Sequence, residues 1–174
     1  MNKVLAIVAI GVLISLAGLS FFSTKQTVPQ LPASKNSTPA EFTESSATPM
    51  TDIRASFAIF TNGTFRIFTA AMYHNLSQDV YIEANNPNRV QVKKSGITWN
   101  DFFLTLPFKV TSECLTTGTK EIFCSGSKGT LQFYINGVKS STALDQEIKD
   151  GDKLLVTYGT ESEIKIKQQI DKVP

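Results

Sequence analysis

The run Val4–Phe22, Val-Leu-Ala-Ile-Val-Ala-Ile-Gly-Val-Leu-Ile-Ser-Leu-Ala-Gly-Leu-Ser-Phe-Phe, carries no charged residue over its 19 positions. As an α-helix rising 1.5 Å per residue it would extend about 28 Å, close to the roughly 30 Å hydrocarbon thickness of a bilayer. No heptad within it offers a polar face, which sets it apart from a helix of a globular core. Any water-soluble fold must therefore lie behind it, in a compartment set by how this run is handled. Met1, Asn2 and Lys3 precede it, as in a signal peptide, but a signal's apolar core usually spans about 7–15 residues. The flank Leu16 to Ser23 has no clean small-x-small cleavage site, no cysteine to lipidate, and the run lacks the early glutamate of a pilin helix. Residues 1–22 therefore read as an uncleaved signal-anchor, a transmembrane helix, with a cleaved signal peptide as the alternative. Lys3 and Lys25 specify orientation only weakly. The short N-terminus favours a single pass through the cell membrane, with the remainder on the extracytoplasmic side.

Residues 23–51 are rich in Ser, Thr, Pro and Ala, with Phe42 their one aromatic side chain. Such a stretch buries too little apolar surface to offset its ordering entropy, so it is expected to be a disordered linker, a stalk spanning roughly 30 Å. Asn36-Ser37-Thr38, Asn62-Gly63-Thr64 and Asn75-Leu76-Ser77 match the glycosylation acceptor pattern, which triplets meet often by chance.

Residues 52–159 read as one extracytoplasmic α+β domain, mostly antiparallel β with one short helix. The whole chain has 17 Lys/Arg against 15 Asp/Glu and no basic run, so nothing argues electrostatically for nucleic acid or anionic lipid. Aromatic side chains, 12 Phe, 4 Tyr and 1 Trp in the whole chain, suit a β-rich core. Asn62-Gly63 between Ser56 and Phe68 is a hairpin signal, and a two-residue turn there sets Phe60 opposite Phe65 and Phe57 opposite Phe68. Strands are expected at Asp79–Glu83 and Arg89–Lys93, with a loop at Asn85–Asn88. Ser95–Pro107 reads as the helix: Thr98 and Asp101 stand as a capping box, and Trp99, Phe102, Phe103 and Leu106 fall on one face. That spacing makes Trp99 a core residue rather than a ligand-stacking one. Residues 108–124 read as a Thr/Gly-rich loop. Leu131–Lys139 is a second Asn-Gly hairpin, and Asp150-Gly151-Asp152 turns into a last strand at Lys153–Tyr158. Residues 160–174 read as a polar tail, with a frayed helix as the alternative.

Cys114 and Cys124 are the chain's two cysteines, and outside the membrane a disulfide is the default, with two buried free thiols as the alternative. His74 is the one histidine, near Asp79 and Glu83 in sequence. The three form a candidate ligand-binding cluster, weighed against a structurally bonded or exposed histidine. No nucleophile elbow accompanies His74, so no catalytic residue is assigned. Zinc sites use three or four protein ligands, so neither a metal nor a cofactor is expected. Asp150-Gly151-Asp152 lacks the rest of a calcium loop.

His74 to Glu83, Ile97-Thr-Trp-Asn-Asp-Phe-Phe103, Ile135-Asn-Gly137 and Asp150 to Gly159 occur in an order that resembles an uncharacterised family of prokaryotic membrane-anchored proteins. Its pattern is His-x-His-Asp, Ile-His-[Ile/Val]-Glu, a Leu-x-x-Phe-Phe helix, a strand ending Asn-Gly and a closing Asp-Gly-Asp…Tyr-Gly, and the likeness covers roughly residues 56–159. Met72 and Tyr81 stand where that family has histidines, while His74 and Glu83 match. The resemblance implies that a metal site in relatives, if there is one, is lost here. The closing hairpin and turn also resemble the end of a β-grasp fold. The resulting expectation is a tethered, non-catalytic module that binds or scaffolds an envelope protein partner. A metal- or small-ligand-handling domain centred on His74 and Glu83 is the alternative.

The anchor reading predicts that the mature protein keeps its N-terminus and stays with membranes at high salt. An intact mass beginning after Phe22 would contradict it.

Overall fold

The structure is a computed structural model that describes residues 50–174. The expected anchor at Val4–Phe22 and nearly all of the 23–51 linker lie outside the described residues. Among those residues no helix is long and apolar enough to cross a membrane.

Two strands hold the centre. Strand β1, Met50–Thr61, is buried without interruption from Ala55 onward, and β10, Lys153–Gly159, from Leu154 onward. Phe57-Ala58-Ile59-Phe60 and Leu154-Leu155-Val156 are continuous apolar runs, the pattern of strands covered on both faces. They pair in parallel, from Ser56 beside Lys153 to Thr61 beside Tyr158. Beyond β1 lie β4 (Asn86–Lys94) and β3 (Val80–Glu83); beyond β10 lie β8 (Thr130–Ile135) and β9 (Val138–Lys139). Short β2, Thr64–Phe65, folds back on the end of β1. All pairings in this sheet other than β1 with β10 are antiparallel, and the fold is α+β as expected. Met50 and Thr51 belong to β1 and not to the linker, and Asn86–Asn88 to β4 and not to a loop.

Both Asn-Gly turns form. Asn62 and Gly63 have φ of 49° and 75°, Asn136 and Gly137 of 52° and 81°, the doubly positive geometry of a type I′ hairpin turn. Phe60 faces Phe65 with ring centroids 5.1 Å apart. Phe57 and Phe68 also stack at 5.1 Å, but β2 has ended by then, so they meet through the core and not across the ladder. The Asp150-Gly151-Asp152 turn ties the central strands together. Asp150 Oδ1 accepts the Arg54 N–H at 2.9 Å, and the Asp152 carbonyl accepts that of Ser56 at 2.8 Å. Asp152 Oδ1 accepts Asn136 Nδ2 at 2.8 Å, which fixes the second hairpin to the same turn.

Helix α1, Trp99–Leu104, covers one face of the sheet. Its capping box is complete: Thr98 Oγ1 accepts the Asp101 N–H at 3.1 Å and Asp101 Oδ2 accepts the Thr98 N–H at 2.9 Å. Trp99, Phe102, Phe103 and Leu106 are buried against Phe57, Ile82, Val90 and Leu154. Residues 108–124, expected as a loop, instead form a second small sheet of β5 (Lys109–Val110), β6 (Cys114–Thr116) and β7 (Ile122–Cys124).

The expected polar tail is corrected too. Residues 160–174 contain helix α2, Glu163–Ile170, which packs on the opposite face of the sheet. The reason lies in the central strands: a run apolar at every position sends Ala58, Phe60 and Leu155 to that second face, where they need cover. Ile166, Ile170 and Val173 supply it at i, i+4 and i+7. A buried hydrogen bond from Thr157 Oγ1 to Gln169 Oε1, at 2.7 Å, fixes the helix. Ile166→Ala is expected to destabilise the domain by about 2–4 kcal/mol, read from the urea midpoint at unchanged m-value. A change below about 0.5 kcal/mol, as for a surface position, would contradict this packing.

Candidate functional site

The three residues singled out from sequence each take a separate partner. His74 follows a single 3₁₀ turn, Ala71–Tyr73, in extended conformation. Its Nε2 lies 2.8 Å from the Phe68 carbonyl oxygen and therefore carries the proton, since a carbonyl only accepts. The backbone at His74 bridges Ile82, and the next N–H, that of Asn75, bonds the Ile82 carbonyl at 3.0 Å. This segment thus covers the open edge of β3, and His74 pins it to the chain leaving the first hairpin. Glu83 accepts Asn86 Nδ2 at 3.2 Å, and Asp79 lies 3.5 Å from Lys94 Nζ. Among the described residues no three of His, Cys, Asp and Glu come together as a metal-binding group. On β3, Tyr81 and Glu83 alternate with buried Val80 and Ile82, so they share the outer face; Met72 is exposed on its turn.

A hydrogen-bonded polar patch lies on that outer face. Asp52 Oδ1 accepts Lys93 Nζ at 2.5 Å and Gln91 Nε2 at 2.8 Å, and Gln91 Oε1 accepts Arg54 Nε at 3.2 Å. The hydrogen bond from Lys93 holds the Asp52 carboxyl below the ordinary range, and the same bond raises Lys93. Asp52 is shared between Lys93 and Arg54, so the patch carries one more cation than anion.

A concave, aromatic-lined site lies elsewhere, at the far end of the first hairpin. Cys114 and Cys124 stand opposite each other on β6 and β7 and form a disulfide, as expected, with Cα atoms 4.1 Å apart. The segment they close off carries Leu115, Thr117, Gly118 and Thr119, which form one wall of a half-open cavity of about 320 Å³. Ile59, Phe65 and Phe68 make the other wall, and Tyr73 and Phe108 complete the aromatic lining. Phe68 holds both: its ring centroid is 5.2 Å from that of Tyr73 and 5.5 Å from that of Phe108. Phe65 and Ile67, both exposed, stand among the lining residues.

The polar part of the lining is a connected network. Arg66 donates from Nε to Thr61 Oγ1 at 2.6 Å, lies 5.4 Å over the Phe123 ring and 3.7 Å from Glu121. The Thr117 and Thr119 hydroxyls are 2.9 Å apart, and the Glu121 N–H donates to Thr117 Oγ1 at 3.1 Å. Sequence reasoning missed this site because it took 108–124 as loop. Two signals were present: cysteines bracketing a Thr-Thr-Gly-Thr run, and Phe65 and Ile67 placed on a hairpin arm with nothing obvious to bury them.

No protein-family model matches the chain, and no curated protein or solved structure does.

The disulfide closes the ribbon that carries the cavity wall, so replacing both cysteines by serine is expected to cost roughly 3 kcal/mol by the loop-entropy relation. It should also broaden the amide resonances of residues 115–121 before those of β1. Unchanged stability, or free alkylation of both thiols in the folded protein, would contradict it.

Proposed function

We propose that the protein is a membrane-tethered extracytoplasmic binding module without catalytic activity, held to the cell membrane by its N-terminal segment. The observation that carries this reading is the half-open, aromatic-lined cavity between the β1–β2 hairpin and the disulfide-closed ribbon. A concave, mostly apolar site with a few placed polar groups is the usual form of a ligand site. The strand order β4-β1-β10-β8-β9, with a parallel central pair and α1 between β4 and β8 in sequence, supports extending the β-grasp resemblance to the whole sheet. That likeness concerns fold alone and assigns no activity. The rival reading, a ligand site at His74 and Glu83, has the family resemblance behind it but no shared cluster of donors among the described residues.

Gly118 provides the test. A Cβ there would stand 3.5 Å from the Tyr73 hydroxyl, in ordinary contact, so alanine fits and a tryptophan ring would occupy the cavity. Full-length protein taken from its own membrane should carry a discrete non-covalent adduct in native mass spectrometry. Gly118→Trp should lose it and Gly118→Ala keep it, with similar melting temperatures. Identical spectra for all three proteins would overturn the reading.

A further inference from the structure

The geometry points to the class of ligand this cavity takes: a small, uncharged, ring-bearing molecule whose oxygen bonds the Tyr73 hydroxyl. The inference rests on the cavity being the binding site and goes on to its chemistry.

Size comes first. At about 320 Å³ the cavity is at the small end of ligand sites, which run from about 300 to 1,000 Å³. An apolar protein cavity of about 150 Å³ already holds benzene, so this one suits a single ring with a short substituent. The lining agrees with a ring: Phe65, Phe68, Tyr73 and Phe108 offer faces and edges for offset or edge-on stacking.

Charge decides against an ion. The cation in the lining, Arg66, has the Glu121 carboxylate 3.7 Å away and its Nε bonded to Thr61. An anionic ligand would compete with Glu121, and a cationic one would be repelled by Arg66. Either would give up hydration with no unmatched counter-charge waiting. The Thr117 and Thr119 hydroxyls are likewise engaged with each other and with the Glu121 backbone.

Of the hydroxyls in the lining, those of Thr64 and Tyr73 bond none of the described residues, and Tyr73 is the one held among aromatic rings. Tyr73 has its ring held against Phe68 and Phe108, at 5.2 and 6.3 Å, and its hydroxyl bonds none of the described residues. A phenol on an otherwise apolar wall is a fixed hydrogen-bonding point, and it selects a ligand that brings an oxygen to it.

The test uses full-length protein in lipid nanodiscs, with the methyl resonances of Ile59 and Leu115 read by ¹³C NMR, so that probe dissolved in lipid does not register. Benzyl alcohol, benzoate and benzylammonium, one ring in three charge states, are titrated at pH 7. Benzyl alcohol should give saturable shifts, with benzoate and benzylammonium at least about tenfold weaker. Tyr73→Phe should weaken benzyl alcohol about fivefold and leave toluene unchanged, the value of one hydrogen bond. Gly118→Trp should abolish the shifts and Gly118→Ala keep them; if the tryptophan variant fails to fold, the Tyr73→Phe comparison decides. Equal or tighter binding of either ion would overturn the ligand class and leave the cavity as the site. Silence of Ile59 and Leu115 toward every probe would overturn both.

Discussion

Everything in this domain is hung on the parallel contact between β1 and β10. Those two strands are the ones buried on both faces, and each face they present recruits its own cover: α1 on one side, α2 on the other. Parallel neighbours cannot be joined by a tight turn. The chain therefore completes both hairpins, α1 and the disulfide ribbon before residues 153–159 arrive to close the sheet. The closing joint is the Asp150-Gly151-Asp152 turn, whose carboxylates accept from the backbone of Arg54 and Lys149 and from the Asn136 side chain. Those two aspartates are spent on register.

The cavity follows from how that sheet ends. Beyond Thr61 the chain turns at Asn62-Gly63 into an arm of two paired residues. So short an arm cannot close against the core by itself. The space beside it is bounded by a ribbon whose strands have two or three residues each, far below the length that holds a sheet together. The Cys114–Cys124 bond compensates, and His74 tightens the same region from behind by holding the Phe68 carbonyl. A site built from short pieces is thus made firm by one covalent link and a set of side-chain hydrogen bonds.

Local chemistry was legible in the sequence wherever neighbouring residues set it. Both Asn-Gly turns, the Thr98–Asp101 capping box, the buried stripe from Trp99 to Leu106 and the Cys114–Cys124 pairing all appear as read. What escaped was non-local. A continuous apolar run such as Phe57–Phe60 implies cover on two faces, and asking what lay over Phe60 and Leu155 would have led to Ile166, Ile170 and Val173. The ribbon at 109–124 had no periodicity to reveal it, because strands this short carry too few residues to show alternation. The candidate site moved for a related reason: His74, Asp79 and Glu83 are close in sequence, yet each is drawn to a separate structural partner.

The direct measurement of the central claim, that the void beside Phe68, Tyr73 and Phe108 is an open apolar receptacle, is diffraction from crystals of the protein under xenon pressure. Xenon enters dry, apolar cavities and makes few demands on shape. The predicted result is a strong xenon peak between Phe68, Tyr73 and Leu115 that vanishes in Gly118→Trp. A cavity closed by its own side chains, with no xenon bound there in the unaltered protein, would contradict it.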